Sequence, residues 1–157
     1  MTRTARIPPF QEFLEANRRT VHRFLSVAVG RHDADDVFQE TFIAALRAYP
    51  RLRNGDLLDR WVLRIASRKA IDHHRAAARR PIATDEVPDK GAVDAGPRDG
   101  ELWSAVRSLP PRQRVAVVHR HVLDRPYEEI AELMSSTEQA ARANVYQGIK
   151  RLRELMG

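Results

Sequence analysis

The chain has 157 residues, with 27 Lys and Arg against 21 Asp and Glu and no cysteine. That length builds one compact domain or two small ones, the missing thiols exclude disulfides and thiolate metal sites, and no apolar run approaches the ~20 residues that span a bilayer. The net charge of +6, nearly all arginine, points to a polyanion partner, because a planar guanidinium suits phosphate and guanine. An arginine-favouring codon bias gives the same composition, so charge alone does not choose. Arg3 and Arg6 sit in a start without an apolar stretch of signal-peptide length, and a soluble, cytoplasmic protein is expected.

A first helix follows Pro8-Pro9: Phe10, Phe13, Leu14, Val21, Phe24, Leu25 and Ala28 recur near the helical period, and Gly30 ends it. Asp33 is the expected N-cap of a second helix, with Asp35 and Asp36 beside its positive dipole end. Ala34, Val37, Phe38, Thr41, Phe42, Ala45, Leu46 and Tyr49 fall on one side of that helix. Asp36, Gln39, Glu40 and Arg47 lie mainly on the other, and Tyr49-Pro50 marks its end. Asn54-Gly55 signals a turn within the loop Arg51 to Asp56. A third helix runs from Leu57 or Asp59 to Ala78, with Leu58, Trp61, Val62, Ile65, Ala66, Ala70 and Ile71 as its core stripe. Its remaining surface carries Arg60, Arg64, Ser67, Arg68, Lys69, Asp72, His73, Arg75, Arg79 and Arg80.

Charge then changes sign. Residues 1–80 are net +7, residues 81–100 net −3 and residues 101–157 net +2. The middle stretch also holds Pro81, Pro88, Gly91, Gly96, Pro97 and Gly100 with almost no large apolar side chain, so it reads as a flexible acidic linker. Two small helical domains, 8–80 and 101–157, are expected on either side. In the second, Leu102, Val106 and Leu109 begin a helix that stops near Pro110-Pro111, and Val115, Val117, Val118 and Val122 support the next. Leu123 to Pro126 is a turn, and helices over Tyr127 to Met134 and Thr137 to Leu155 follow. No strand pattern and no repeat is present, so the fold class is all-α.

Catalytic chemistry finds little support. His73-His74 and His119-x-His121 diverge on a helix instead of converging on a metal. His-Glu-x-x-His, a glycine-rich phosphate loop and Gly-x-Ser-x-Gly are all absent. No enzyme, metal or cofactor is expected, and the six histidines read as surface or structural.

Three surfaces remain. The third helix, with its cations and Trp61, can track a phosphate backbone and stack on an unpaired base. A solvated arginine-rich helix whose Trp61 is core gives the same pattern. Tyr127 to Leu133, a polar turn and a helix N-capped by Thr137 read as a helix-turn-helix. Glu138 suits the dipole; Gln139, Arg142, Ala143 and Tyr146 share one exposed face, with Asn144 and Gln147 beside them. Ala141, Val145, Ile149 and Leu152 turn inward, and a protein-docking hairpin is the competing reading. The acidic flank Asp35, Asp36, Gln39 and Glu40 avoids DNA and is expected to face a basic protein surface. Dipole capping accounts for Asp35 and Asp36 but not for Gln39 and Glu40, a turn further in.

Several of these stretches in order resemble one family. Asp33-Ala34-Asp35-Asp36-Val37-Phe38-Gln39-Glu40-Thr41-Phe42 resembles the region 2.2 signature of the extracytoplasmic-function (ECF, group IV) sigma factors of bacterial RNA polymerase. Trp61-Val62-Leu63-Arg64-Ile65-Ala66 and Ala70-Ile71-Asp72-His73-His74-Arg75 are similar to regions 2.3 and 2.4. Leu109-Pro110-Pro111-Arg112-Gln113-Arg114 and Tyr127-Glu128-Glu129-Ile130-Ala131 match the opening of region 4.

The resemblance implies that Asp35, Asp36, Gln39 and Glu40 dock on the β′ clamp helices of core polymerase, with the β flap as a further contact. It implies that Trp61, Arg64, Ser67, Arg68, Lys69, Asp72 and Arg75 bind and help open the −10 element, with the Arg51 to Asp56 loop near a flipped base. Thr137, Glu138, Gln139, Arg142, Ala143, Tyr146 and Gln147 would read the −35 element, while Arg112, Lys150 and Arg151 hold phosphates. The acidic linker would thread the RNA-exit path, and an anti-sigma factor would hold the free protein inactive. Ser135 and Ser136 depart from the family's usual glycine and apolar residue in the turn, and Ala141 and Asn144 replace a frequent Val and Arg. A helix-turn-helix regulator that acts without polymerase is the alternative function.

Overall fold

A computed structural model describes residues 5–79 and 97–157. They form seven α-helices: α1 (Phe10–Ala28), α2 (Arg31–Ala48), α3 (Leu58–Arg79), α4 (Pro97–Ser108), α5 (Pro111–His121), α6 (Tyr127–Leu133) and α7 (Glu138–Met156). A single 3-10 turn, Tyr49–Arg51, follows α2. The described residues contain no strand.

Helices α1, α2 and α3 pack on one another through Phe13, Val21, Phe24, Leu25, Val37, Phe42, Val62 and Leu63, all buried. The second helix starts two residues earlier than Asp33. Gly30 takes the capping position at φ 89°, and its carbonyl accepts the first helical bond from Ala34 N–H at 3.0 Å. A left-handed residue there reverses the chain with no loop, and glycine adopts it at no steric cost. Asp33, released from capping, pairs with His73 on α3 at 3.1 Å.

Leu46, assigned to the inner side of α2, is 52% exposed instead, because Phe42 and Ala45 already fill the space facing α1 and α3. Leu63, absent from the expected α3 stripe, is buried. The Asn54-Gly55 turn is present and tied to the N-terminal segment: Asn54 Oδ1 accepts from Ala5 N–H at 3.1 Å and from Asp56 N–H at 2.9 Å. A Cβ on Gly55 would meet the Arg6 carbonyl oxygen at 2.2 Å, so only glycine fits.

Helix α4 begins at Pro97, inside the stretch read as linker, where proline is compatible with the first helical turn. Residues 81–96 of that stretch lie outside the described residues. Helices α5, α6 and α7 pack around Val115, Val118, Ile130, Leu133, Ala141 and Val145. Gly148 is required at the α5–α7 seam, since a Cβ there would sit 2.6 Å from Val117 Cγ2.

The two helical groups are not independent. Helix α5 packs on α1 and α3, and α6 packs on α3. His119 of α5 is fully buried, its ring stacked on Phe24 of α1 at 4.5 Å and 4°. Ser67 of α3 donates to the Leu63 carbonyl at 2.7 Å, so His119 Nε2–H donates to Ser67 Oγ, also at 2.7 Å. Desolvation, helped by the Arg125 charge, pushes the imidazole down to about 3, and it stays neutral. Arg114 donates to the Ala28 carbonyl at the end of α1 and to His74 Nδ1 at 2.7 Å. Burial and that guanidinium push His74 down to about 4.

Candidate nucleic-acid and polymerase interfaces

The turn between α6 and α7 is closed by its backbone. Ser136 N–H donates to the Ala131 carbonyl at 2.8 Å and Ser135 N–H to that of Glu132 at 3.2 Å. Ser135 sits at φ 50°, a left-handed conformation that glycine adopts freely and other residues reach at a cost of about 1–2 kcal/mol. Thr137 then caps α7, its Oγ1 accepting from Ala140 N–H at 3.0 Å. The inner face is Ala141, Val145, Gly148 and Leu152, with Ile149 half-buried.

The outward face of α7 presents Glu138, Gln139, Arg142, Ala143, Tyr146, Gln147, Lys150 and Arg151, all exposed, with Tyr146 at 70%. Local contacts hold this row in place. Arg142 pairs with Glu138 at 2.9 Å and lies 4.4 Å from the Tyr127 ring centroid. Gln147 accepts from Gln113 Nε2 at 3.3 Å. Partial pre-ordering of this kind lowers the side-chain entropy lost on binding. Arg112 does not join the row. It is half-buried at the start of α5, and its Nη2 donates to the Met134 carbonyl at 3.1 Å, capping the end of α6.

On α3 the structure brings together Arg64, Arg68, Asp72 and Arg75, an exposed row at three- and four-residue spacing. Lys69 is half-buried beside it. Trp61 is half-buried, 5.6 Å from Phe13 and 6.3 Å from Tyr49 between ring centroids. Ser67 departs from the expected exposed surface: it is buried against His119 and unreachable by a nucleic acid in this arrangement.

The basic row is exposed and borders α5 and α6 along one edge. Arg64 Nε donates to Ser135 Oγ at 3.3 Å, and Arg60 reaches Glu129 at 3.2 Å and Glu132 at 3.7 Å. Glu129 is buried and also bonds Arg125 at 2.7 Å. Glu129 and His119 are the residues that sequence reading missed. The signal for His119 was its place directly after the apolar run Val115 to Val118 of α5.

The flank of α2 is fully presented. Asp35, Asp36, Gln39 and Glu40 are exposed, and Asp35 is turned toward α1, where it pairs with His22 at 3.1 Å. One turn on, Ile43 is 49% exposed beside Leu46, so the acidic strip continues into an apolar one. Among the described residues, no helix is long and apolar enough to cross a membrane, and no three His, Cys, Asp or Glu side chains cluster to hold a metal ion.

A three-helix group with an acidic flank and a basic helix, followed by a helix-turn-helix group, is the architecture of a two-region sigma-70 factor. The Sigma-70 region 2 family matches residues 13–80, and the Sigma-70, region 4 family matches residues 99–152. The chain is 33% identical over 159 residues to the ECF RNA polymerase sigma factor SigD of Mycobacterium tuberculosis, covering 92% of this chain and 75% of that one. It is 30% identical over 138 residues to the ECF RNA polymerase sigma factor ShbA of Streptomyces griseus, covering 80% and 72%. With these relatives, the chain belongs to the ECF RNA polymerase sigma factors.

Solved structures share the fold. The sigma factor RpoE, in its complex with the anti-sigma factor NepR from Bartonella quintana, gives a TM-score of 0.72 at 21% identity, covering 94% of this chain and 96% of that one. CnrH, in complex with the cytosolic domain of CnrY, gives 0.67 at 20% identity, covering 94% and 86%.

Proposed function

We propose that this chain binds core RNA polymerase through the α2 flank and directs initiation at promoters bearing a −10 and a −35 element, without catalysing a reaction itself. The observation that carries the reading is a division of labour among three surfaces on one short chain. The exposed acidic-apolar strip of Asp36, Gln39, Glu40 and Ile43 suits a basic protein helix and repels DNA. The α7 row suits a duplex major groove, with Arg142, Gln139 and Gln147 as base-edge readers and Lys150 and Arg151 on phosphates. The α3 row with Trp61 suits a separated strand, through phosphate contacts and base stacking.

In this assignment the β′ clamp helices take α2, the β flap takes the region 4 half, and Arg112 serves α6 before any phosphate. Ser67 acts only as a support for His119 until the halves part. The residue spans 8–80 and 101–157 are the two working units, and they operate in the cytoplasm. An anti-sigma factor is the expected regulator, in keeping with the complexes in which the structural neighbours were solved. A free-standing helix-turn-helix regulator would use α7 alone and leave the α2 strip and the α3 row without a role.

Glu40→Lys tests the docking. It places a cation on the exposed strip without touching the core. Affinity for core polymerase is expected to fall at least about tenfold, roughly 1.4 kcal/mol, while the affinity of α7 for duplex DNA is unchanged. Unchanged core binding in a pull-down titration would remove the α2 assignment.

A further inference from the structure

Between the two helical groups lies a cleft of about 510 Å³, within the size range of small-ligand sites. One wall is the outer edge of α3, with Arg64, Arg68 and Arg75; the other is the α5–α6 side, with Arg112. Four guanidiniums therefore line one concavity against a single carboxylate, Asp72.

Two other interface arginines are matched by carboxylates, whereas Arg114 is held by carbonyls and His74. Arg60 has Glu129 and Glu132, and Arg125 has Glu129 and Asp59. In the cleft, Arg64 and Arg112 each spend one nitrogen on a neutral oxygen, that of the Ser135 hydroxyl and the Met134 carbonyl. No carboxylate among the described residues comes within ion-pair range of any of the four. Like charges around one concavity with apolar walls repel and focus a positive potential into it. Guanidinium forks are shaped for phosphate oxygens. Trp61, Leu133 and Met134 add apolar lining on which a planar ring can rest.

We propose that this cleft is a binding site for a nucleoside di- or triphosphate, its phosphates shared by Arg64, Arg68, Arg75 and Arg112 and its base on the Trp61 side. Because the walls come from both halves, occupancy favours the closed chain by mass action. The competition that follows rests on the proposed function: the α3 arginines that hold the nucleotide are those assigned to the −10 strand. A bound nucleotide and an opened promoter strand exclude each other, and the nucleotide acts as an inhibitor of promoter opening.

The test is calorimetric titration of the full chain with adenosine triphosphate, inorganic tripolyphosphate and adenosine at fixed ionic strength. Saturable one-to-one binding of the triphosphate is expected, with tripolyphosphate weaker by about tenfold and adenosine silent. Arg112→Ala should weaken the nucleotide at least about tenfold, while Arg18→Ala on exposed α1 leaves it unchanged. No saturable binding, or equal binding by Arg112→Ala, overturns the site; equal binding of tripolyphosphate overturns its assignment to a nucleotide. A single-stranded −10 oligonucleotide separates the two readings. If Arg68→Ala loses the strand but wild type never binds nucleotide, this inference fails and the promoter function stands. If Arg68→Ala loses nucleotide but keeps the strand, the site stands and the α3 assignment fails.

Discussion

Helices α3 and α7 both carry cationic rows, yet they stand in opposite situations. The α7 row is open to solvent and held by neighbours on its own half, Tyr127, Glu138 and Gln113. The α3 row is turned toward the other half, with Arg64 on Ser135 and Ser67 sealed under His119. A duplex reader needs only to be presented, so it is built complete in the closed chain. A reader of separated strands has no substrate until the duplex opens, and the proposed one here, though its arginines are exposed, borders the other half across a cleft. On the proposed assignments, the −35 row stands free of the other half, while the −10 row shares a cleft with it.

The largest expected effect comes from His119→Ala. Removing a fully buried ring stacked on Phe24 leaves a cavity between α1, α3 and α5, and about 2–4 kcal/mol of stability should be lost in urea unfolding. Binding of −35 duplex to α7 should stay within about twofold, since the sites are separate. An equal loss in duplex binding would break the contrast between the two helices.

Acid should act through the same ring. His119 is held near 3 in the closed chain, against about 6.5 when exposed, so between those values the opened chain binds a proton that the closed chain does not. The contribution of closure is complete above about pH 7 and falls by up to about 1.4 kcal/mol per unit as pH drops below 6.5. His74, held near 4 by burial and Arg114, adds in the same direction. Urea midpoints measured at pH 7, 6 and 5 should decline for wild type, and the slope should lose one proton's share in His119→Leu.

The smallest effect is Ser135→Gly. Relief of the φ 50° strain should raise the stability of the region 4 half by about 0.5–1 kcal/mol, less the entropy glycine brings to the unfolded chain. The same change removes the acceptor of the Arg64 bond between the halves. Since the chain has no cysteine, a pair introduced at Ala16 and Glu154, both exposed, labels uniquely for distance measurement. More stable yet wider apart is the expected result; more stable and equally closed would show that Arg64 contributes nothing to closure.

Much of this was legible in the chain. Helical periodicity located all seven helices, missing only that α4 starts as early as Pro97, and the Thr137 cap and the inward stripe of α7 stand where the pattern puts them. Periodicity reports one face per helix, however, and this is why Ser67, His119 and Glu129 escaped it. Each is a polar residue buried on a second face, where it bonds a partner from the other half. Leu46 failed in the opposite direction: an apolar residue beside the core stripe was counted as core, but its place is on the surface next to Ile43. Gly30 displaced Asp33 as the cap because the reversal between α1 and α2 needs a left-handed residue more than it needs a side-chain oxygen. Periodicity places the elements here, while a cap, an edge residue of α2 and the contacts between the two halves escape it.

The central claim is that one chain reads two promoter elements with two separate helices on behalf of polymerase. Run-off transcription with core polymerase over a library of randomised −35 and −10 positions tests it directly, comparing wild type with Arg142→Ala and Arg68→Ala. Wild type is expected to give promoter-dependent transcripts, Arg142→Ala a relaxed preference confined to the upstream element, and Arg68→Ala weakened opening at the downstream element. Transcription that does not depend on added protein, or both variants altering the same element, would contradict it.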